Sequence, residues 1–479
     1  MSELSLKSPA TRWFALMVLQ AGAFLPSVDF FIVNVTLPSI HASLGASPAE
    51  LQLVISGYAA CYAVLLITGG RLGDLFGRRR LFLIGMAGFT VANLICGVAA
   101  NPGELLLGRA LQGISAAMFV PQVLGAIRAL CSDERDLARA MSAYGVMMGL
   151  AAAIGQFAGG ALVQWNAFDL GWRTVFLFKL PFCLAIMAAS WWLVPETRAP
   201  GRAKLDLPGA ALVSLALACL IVPLSEGRDQ GWPAWVFVVL AMVPVLVAVF
   251  LRHEARLSAK GGMPLVDLSL FAIPSFRRGV LVATLFFFTT SFYFLFGLYQ
   301  QEGRGADPLH TGLAIVPYGI GLFVGPLVTA PLVRLRPHLL AIGMGVQVAG
   351  YAAIGGLVAL GSPASAVLAA VLLAGFGQGI AFPRLYNTVL GHVPAHQAGL
   401  ASGIVNSALQ VGASVSTAAI GSLFFSSLGA GQGERDFAYA FAVAQGTLTM
   451  ALFVAMLIAI PGRRERVGAS TEKGRLTRG

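Results

Sequence analysis

The chain has 479 residues, of which 57% are hydrophobic and only 11% charged, with a mean hydropathy of +0.80 and a formal net charge of +11. That little polar surface cannot coat a soluble globule of this length, so lipid must be the main solvent. The basic excess gathers in alternate loops, which argues against nucleic acid as its cause. The five cysteines (Cys61, Cys96, Cys131, Cys183, Cys219) lie in apolar stretches without CxxC or metal-ligand spacing, so neither a disulfide framework nor a zinc site is indicated.

About 30 Å of hydrocarbon at 1.5 Å per residue requires roughly 20 apolar residues per spanning helix. This ruler predicts helices over 13–37, 51–70, 81–100, 105–128, 140–163, 172–194, 208–226, 234–251, 279–301, 311–333, 339–360, 364–390, 398–427 and 437–460. The first is not a cleavable signal segment, being too long and containing Asp29 without a small-residue cleavage site after it. The longest inner connection, about 252–278, is charged and contains Pro264 and Pro274, and the polar tail 461–479 is expected to be disordered. No soluble domain and no phosphate-binding GxxxxGK[ST] loop is present, so ion coupling rather than ATP is the expected energy source.

Orientation follows from the basic residues. With the amino terminus placed in the cytoplasm, the inner segments carry nearly all of them, for example Arg71, Arg78, Arg79 and Arg80, or Arg252, Arg256, Lys260, Arg277 and Arg278. Only Arg173, Arg228, Arg304 and Arg435 fall outside, so both termini are expected to be cytoplasmic. Arg109, Lys179 and Arg384 fall within predicted helices.

Asp29 is the one acid predicted inside a span, and a charge in hydrocarbon is a functional hypothesis by default. It lies about nine residues, or roughly 13 Å, inward from Pro38. Arg109 and Lys179 enter from the same side at compatible depth, so desolvation and a neighbouring cation would oppose one another at the carboxyl group. Two simpler readings stand beside this one. Asp29 and Arg109 form a permanent structural pair, or Lys179 snorkels along its stem toward the headgroups. Arg384, near the inner end of its helix, either lines the inner mouth or reaches the headgroups.

Motifs in chain order make a resemblance specific. Asp29-Phe30-Phe31-Ile32-Val33-Asn34-Val35-Thr36-Leu37-Pro38 is similar to the DxTivNvALP segment of helix 1 in the fourteen-helix drug:proton antiporter group of the major facilitator superfamily. Gly70-Arg71-Leu72-Gly73-Asp74-Leu75-Phe76-Gly77-Arg78-Arg79-Arg80 resembles the superfamily's GxLaDrxGrr loop. There the glycines permit a tight turn, and Asp74 can pair with an arginine as a conformational latch; Gly70, Asp74, Gly77, Arg78 and Arg79 are its candidate members. Arg109-Ala110-Leu111-Gln112-Gly113 matches RxxQG, and Trp172-Arg173 with Pro181 is similar to WRxxFxxNxP. Leu205-Asp206-Leu207-Pro208-Gly209 precedes the inserted helices, and Gly375-Phe376-Gly377-Gln378-Gly379 fits the second half.

The resemblance implies an all-α integral membrane protein with the major facilitator fold. An amino-terminal segment 1–12 leads into a six-helix bundle over 13–194, a linker over 195–278 with two extra helices, and a second six-helix bundle over 279–460. It also implies transport by alternating access about a site near the midplane, Asp29 and Arg109 as the proton-coupling pair, no cofactor, and a proton gradient as energy source. The weak internal repeat places a degenerate second latch over 321–336, where Asp74 has no counterpart. Two departures stand out: Gln156 replaces the proline of the family's GPxxGG, and Lys179 replaces an expected Asn, adding a cation. Candidate cavity residues are Asn34, Gln112, Gln156, Lys179, Phe292, Tyr293, Arg384, Asn387, Asn406 and Gln410, polar groups that need partners in a dry interior together with aromatics suited to a permissive pocket. The expected function is export of amphipathic small molecules through a bacterial inner membrane by a monomer, without nucleic-acid partners. The alternatives are a dedicated exporter or facilitator of one organic anion or metabolite, and a non-transporting membrane sensor; an enzyme is not indicated.

Overall fold

A computed structural model describes residues 9–131, 133–198, 206–227, 230–329, 338–390, 393, 398–429 and 433–460. Their backbone forms helices and connecting turns, with no strand among the described residues. The first bundle comprises α1 (Pro9–Leu44), α2 (Pro48–Phe76), α3 (Arg78–Val98), α4 (Pro102–Leu130), α5 (Glu134–Trp165) and α6 (Gly171–Leu193). Then come α7 (Leu207–Glu226) and α8 (Ala234–Ala259), followed by α9 (Pro274–Gly303), α10 (Pro308–Thr329), α11 (Leu339–Ala359), α12 (Ala364–Leu390), α13 (Ala398–Leu428) and α14 (Glu434–Ala459). Thirteen are long and apolar enough to cross a membrane among the residues searched. The other, α5, keeps its charges in its first turns (Glu134, Arg135, Asp136, Arg139) and has none from Ala140 onward. The predicted tail, the latch-like segment beyond Thr329, and Lys7, Arg202 and Lys204 lie outside the described residues.

Helix starts follow local capping chemistry. Ser47 and Glu50 form a reciprocal capping box at α2, with Ser47 Oγ accepting from Glu50 N at 3.2 Å and Glu50 Oε2 from Ser47 N at 2.7 Å. Asn101 caps α4 and Asp206 caps α7, each followed by a proline in the first turn. Two boundaries depart furthest from expectation. α1 runs on through Pro38 to Leu44, because a proline inside a spanning helix is tolerated where neighbours satisfy the freed carbonyls. α8 continues past residue 251 to Ala259, which brings a second buried acid, Glu254, onto a spanning helix at its Arg-rich end.

The internal repeat, weak in sequence, is plain in the packing. α2 and α3 both lie against α4, and α10 and α11 lie likewise against α12; α1 packs on α5 as α9 does on α13, and α3 on α6 as α11 on α14. The two bundles meet where α5 crosses α10 and where α13 crosses α2, the same contact taken twice. Of the inserted pair, α7 packs against both α2 and α13, whereas α8 rests on α7 and the 3₁₀ turn Leu268–Ala272 and leaves most of its apolar surface exposed, as a lipid-facing helix must.

Small residues set the closest crossings, as expected where dispersion rather than water drives helix association. A β-carbon on Gly159 would lie 2.7 Å from the Ile32 carbonyl oxygen of α1, and one on Gly375 would collide with the Tyr318 carbonyl of α10. Gly356, one residue from a tight helix face, has open space instead. Gly375→Ala is therefore expected to destabilise the purified protein by about 2 kcal/mol, while Gly356→Ala stays within about 0.5 kcal/mol; thermal unfolding in one detergent compares the two.

Candidate functional site

The charges predicted to share a depth converge on one point. Asp29, at mid-length on α1, is fully buried, and so is Arg109 on α4. Arg109 Nη1 donates to Asp29 Oδ2 at 2.5 Å and to Gln112 Oε1 at 2.7 Å, while its Nε donates to the Val54 carbonyl at 2.8 Å. Lys179 on α6 is 4% exposed, and its ammonium donates to Asp29 Oδ1. It is thus a direct partner of the carboxylate and does not reach outward to the headgroups. Gln112, read from sequence as a cavity residue, belongs to the same cluster: its Nε2 donates to Asp29 Oδ1 at 3.3 Å and to Asn93 Oδ1 at 3.0 Å.

Several elements hold these groups in place. The i, i+3 spacing of Arg109 and Gln112 puts both on one face of α4. The guanidinium carbon lies 4.4 Å from the Tyr58 ring centroid, and Tyr58 itself donates to the Pro26 carbonyl at 3.1 Å. α6 is pinned at its start where Trp172 Nε1 donates to Ser43 Oγ at 2.6 Å and Arg173 Nη2 to the Ala99 carbonyl at 2.8 Å; Lys179 then passes 4.9 Å from the Phe176 ring. With every member ionised, one carboxylate faces two cations. The cluster then carries one uncompensated positive charge out of water, where electrostatic interactions are strong.

The Arg-rich face carries the second predicted constellation. Arg78 Nη2 donates to Asp74 Oδ1 at 2.9 Å across the α2–α3 turn, and Arg78 Nη1 to the Gly125 carbonyl of α4 at 3.0 Å. Gly77 has φ 104°, a backbone that favours glycine, and a β-carbon there would sit 2.6 Å from the Glu196 carboxylate. Glu196, which follows α6, accepts from the Arg79 and Arg80 amides at 3.1 and 3.2 Å and so caps the start of α3; Arg79 Nη1 donates to the Val194 carbonyl at 3.2 Å. Gly70 meets only an ordinary contact with Pro121, and the tight approach falls on Gly73, beside Gln122. Arg71 donates to the Met263 and Pro264 carbonyls, tying this turn to the segment between α8 and α9.

The model of the Major Facilitator Superfamily matches residues 20–417. The chain belongs to that superfamily. It is a multi-pass membrane transporter, not an enzyme, and it fits the fourteen-helix drug:proton antiporter group. Among its superfamily relatives, the "Probable actinorhodin transporter" of Streptomyces coelicolor is 37% identical over 426 residues, covering 88% of this chain and 74% of the relative. The cephamycin export protein of Amycolatopsis lactamdurans is 34% identical over 84% of this chain and 83% of its own. The superfamily fold is shared with a crystal structure of a bacterial homolog of the human lysosomal transporter Spinster, inward-facing and occupied, at TM-score 0.69 and 15% identity, covering 94% and 97% of the two chains.

The remaining predicted residues of this superfamily member scatter. Asn34 Nδ2 donates to the Phe30 and Phe31 carbonyls, and its Oδ1 has no partner. Gln156 is fully buried at the α5–α10 crossing with neither amide atom partnered. Phe292 and Tyr293 lie in the core of the second bundle. Tyr293 contacts Phe31 of the first bundle with ring centroids 4.9 Å apart. Gln410 and Arg384 are half-buried, as is Asn406; the Asn387 side chain lies outside the described residues.

Sequence reasoning missed Tyr58 and Asn93, which complete the charged cluster, and a neutral counterpart in the second bundle. There Tyr318 and Tyr351 hydroxyls lie 2.9 Å apart, Tyr318 donates to Gln378 Oε1, and Gln347 Nε2 donates to Gln378 Oε1 at 3.1 Å. The available signal was the repetition of Gln112-Gly113 as Gln378-Gly379, with Gly375 in the position of Arg109. Near the Arg-rich face, Asp206, His253 and Glu254 each place a possible ligand atom within 4.8 Å of one another. Burial works against the charge on Asp206, but hydrogen bonds from Glu254, Gly209 N and His253 outweigh it and hold the carboxyl down at about 2. With Leu265 N and Val266 N also donating to this acid pair, the group fastens the segment after α8.

Removing the shared anion strands two buried cations. Asp29→Ala is therefore expected to destabilise the protein by about 3–5 kcal/mol. Adding Lys179→Met should recover at least about 1 kcal/mol of that, a coupling that a double-mutant cycle in detergent measures.

Proposed function

We propose that this transporter exports amphipathic small molecules in exchange for protons, with the Asp29–Arg109–Lys179 cluster as the proton-coupling site. The observation that carries the reading is a fully buried carboxylate held between two cations in the interior of one bundle. A structural core gains little from such an arrangement, since buried ion pairs rarely improve on apolar packing, whereas a transporter needs a group whose charge changes as the bundles move. Export of antibiotics and related compounds is inferred from the relatives, which include a cephamycin export protein and a probable actinorhodin transporter. The proposed energy source is the proton gradient across the cell's inner membrane, with no cofactor, both termini in the cytoplasm and a monomer as the working unit. Rocking of the two bundles about the α5–α10 and α2–α13 crossings would alternate access. The Asp74–Arg78 turn would favour one arrangement, because it braces α2, α3 and α4 only while its charge-assisted bonds hold.

The excess positive charge favours a second, narrower reading in which the cargo is one organic anion, attracted by the same cluster. Competition among anionic, neutral and cationic compounds separates the two.

In proteoliposomes with an imposed pH gradient, concentrative uptake of a cephamycin by wild type is the expected signal, and Asp29→Asn should lower it at least tenfold while leaving insertion intact. Full gradient-driven transport by Asp29→Asn would place the coupling elsewhere. Asp74→Asn should lower the rate by a few-fold and change the accessibility of single cysteines placed at the Arg-rich ends of α2 and α4. Unchanged rates together with unchanged labelling would remove the latch role.

A further inference from the structure

The charge count at the cluster identifies which of its members can exchange a proton, a question that rests on the proton-coupled reading above. The titratable groups around the site are Asp29 on α1, Tyr58 on α2, Cys96 on α3, Arg109 on α4, and Lys179 and Cys183 on α6. Arg109 keeps its proton throughout, because a guanidinium is not deprotonated in proteins. Its place is also the most fixed, with Nε and Nη1 bonded to the Val54 carbonyl, Asp29 and Gln112. Tyr58 is occupied as a donor to Pro26. The Cys96 thiol is occupied as a donor to the Leu105 carbonyl and Gln112 Oε1, and Cys183, fully buried and bonded to Thr90, is inert as buried thiols are; that leaves Asp29 and Lys179.

The two choices change the buried charge in opposite directions. Adding a proton to Asp29 raises the excess from one positive charge to two, in a site from which water is excluded and where no other anion lies among the described residues. Removing one from Lys179 brings the excess to zero and leaves Asp29 and Arg109 as a balanced pair. Burial penalises net charge, so the second step is the one the site accommodates. Geometry agrees. Asp29 accepts from Arg109, Gln112 and Lys179, three donors that all favour the carboxylate. Lys179 meets Asp29 through its ammonium, and its other near neighbours are the Phe176 ring and the Cys183 thiol, neither of which offers a strong acceptor. The lysine also sits on the helix whose first turn is only a 3₁₀ piece, Gly171–Arg173, running straight into a short helix Thr174–Leu177.

We propose that Lys179 is the group that releases and takes up the coupling proton, and that Asp29 is its fixed counter-ion. When the bundles open the cluster to one face, the ammonium gives its proton to water on that face and the neutral amine remains, still able to donate a hydrogen bond to Asp29. When the other face opens, the amine is reprotonated from that side.

Two substitutions separate this from an exchange at Asp29. Lys179→Arg keeps the charge and the donor but cannot release a proton, so it should bind the cephamycin probe yet lose gradient-driven transport at least tenfold. Lys179→Asn removes the excess charge but also the exchangeable proton, so it too should lose gradient-driven transport at least tenfold, whereas exchange at Asp29 opposite Arg109 would leave this variant gradient-driven. Lys179→Arg transporting the cephamycin probe within twofold of wild type would overturn the proposal. A second measurement needs neither variant folding nor any cargo: infrared difference spectra of reconstituted wild type between acid and alkaline buffer. The proposal expects no protonated-carboxyl band that disappears in Asp29→Asn, and finding such a band overturns it. Because that spectrum is read without a gradient, it still decides between the two groups if wild type proves not to be gradient-driven.

Discussion

One carboxylate holding two cations out of water is the constraint on which the rest of the first bundle depends. Asp29, Arg109 and Lys179 come from three helices, and two more supply Tyr58 and Asn93. None of these partners can leave without exposing an unpaired charge or a bare polar group to a low-dielectric interior. The cluster therefore fixes the rotation of α1, α4 and α6 about their axes more sharply than apolar packing could, because hydrocarbon side chains tolerate substitution at similar volume. Trp172 bonded to Ser43, and the small residues of α5 laid against α1, serve the same end at the periphery.

Much of this was legible in the chain. Fourteen apolar segments of spanning length are a one-dimensional signal, and the hydrocarbon thickness converts them to helices without reference to tertiary contacts. Charges inside such segments are rare enough that Asp29, Arg109 and Lys179 stood out, and simple rise-per-residue arithmetic gave them a common depth. Depth is only one coordinate, however. Whether Lys179 turned inward or snorkelled depended on the rotation of α6, which its 3₁₀ first turn and the Trp172 anchor set, and neither reads as a periodicity. Tyr58 and Asn93 were silent for a related reason: an uncharged polar residue in a spanning helix is common, and only its neighbours on other helices give it a role. Glu254 escaped because α8 continues through a charged stretch that hydropathy alone assigns to a loop.

The second bundle answers the first with the same helices and different chemistry. α12 repeats the Gln-Gly pair of α4, yet Gly375 occupies the position of Arg109, and the Tyr318 backbone closes into the space that a longer side chain would need. Where the first half places an ion cluster, the second places hydroxyls and amides: Tyr318, Tyr351, Gln347 and Gln378. Among the described residues the duplicated fold thus carries one charged centre and one neutral centre, and under the proposed proton coupling the ion and the cargo would meet different surroundings.

A line of rings joins the two centres. Arg109 lies over Tyr58; Tyr58 and Phe30 have centroids 6.1 Å apart, Phe30 and Phe31 5.2 Å, Phe31 and Tyr293 4.9 Å, and Tyr293 and Tyr318 5.4 Å. The boundary between bundles is crossed once, at Phe31 and Tyr293, and Phe31 is two residues from Asp29 on the same helix. Any rocking that separates α1 from α9 must part that ring pair, and in doing so shifts the turn of α1 that presents the carboxylate to its cations. Packed side chains with discrete arrangements transmit such displacements without needing long-range fields. Under the proposed proton coupling, the charge state of the cluster and the closure of the interface would then be two readings of one helix position, which is what coupling between an ion and a cargo requires of a structure.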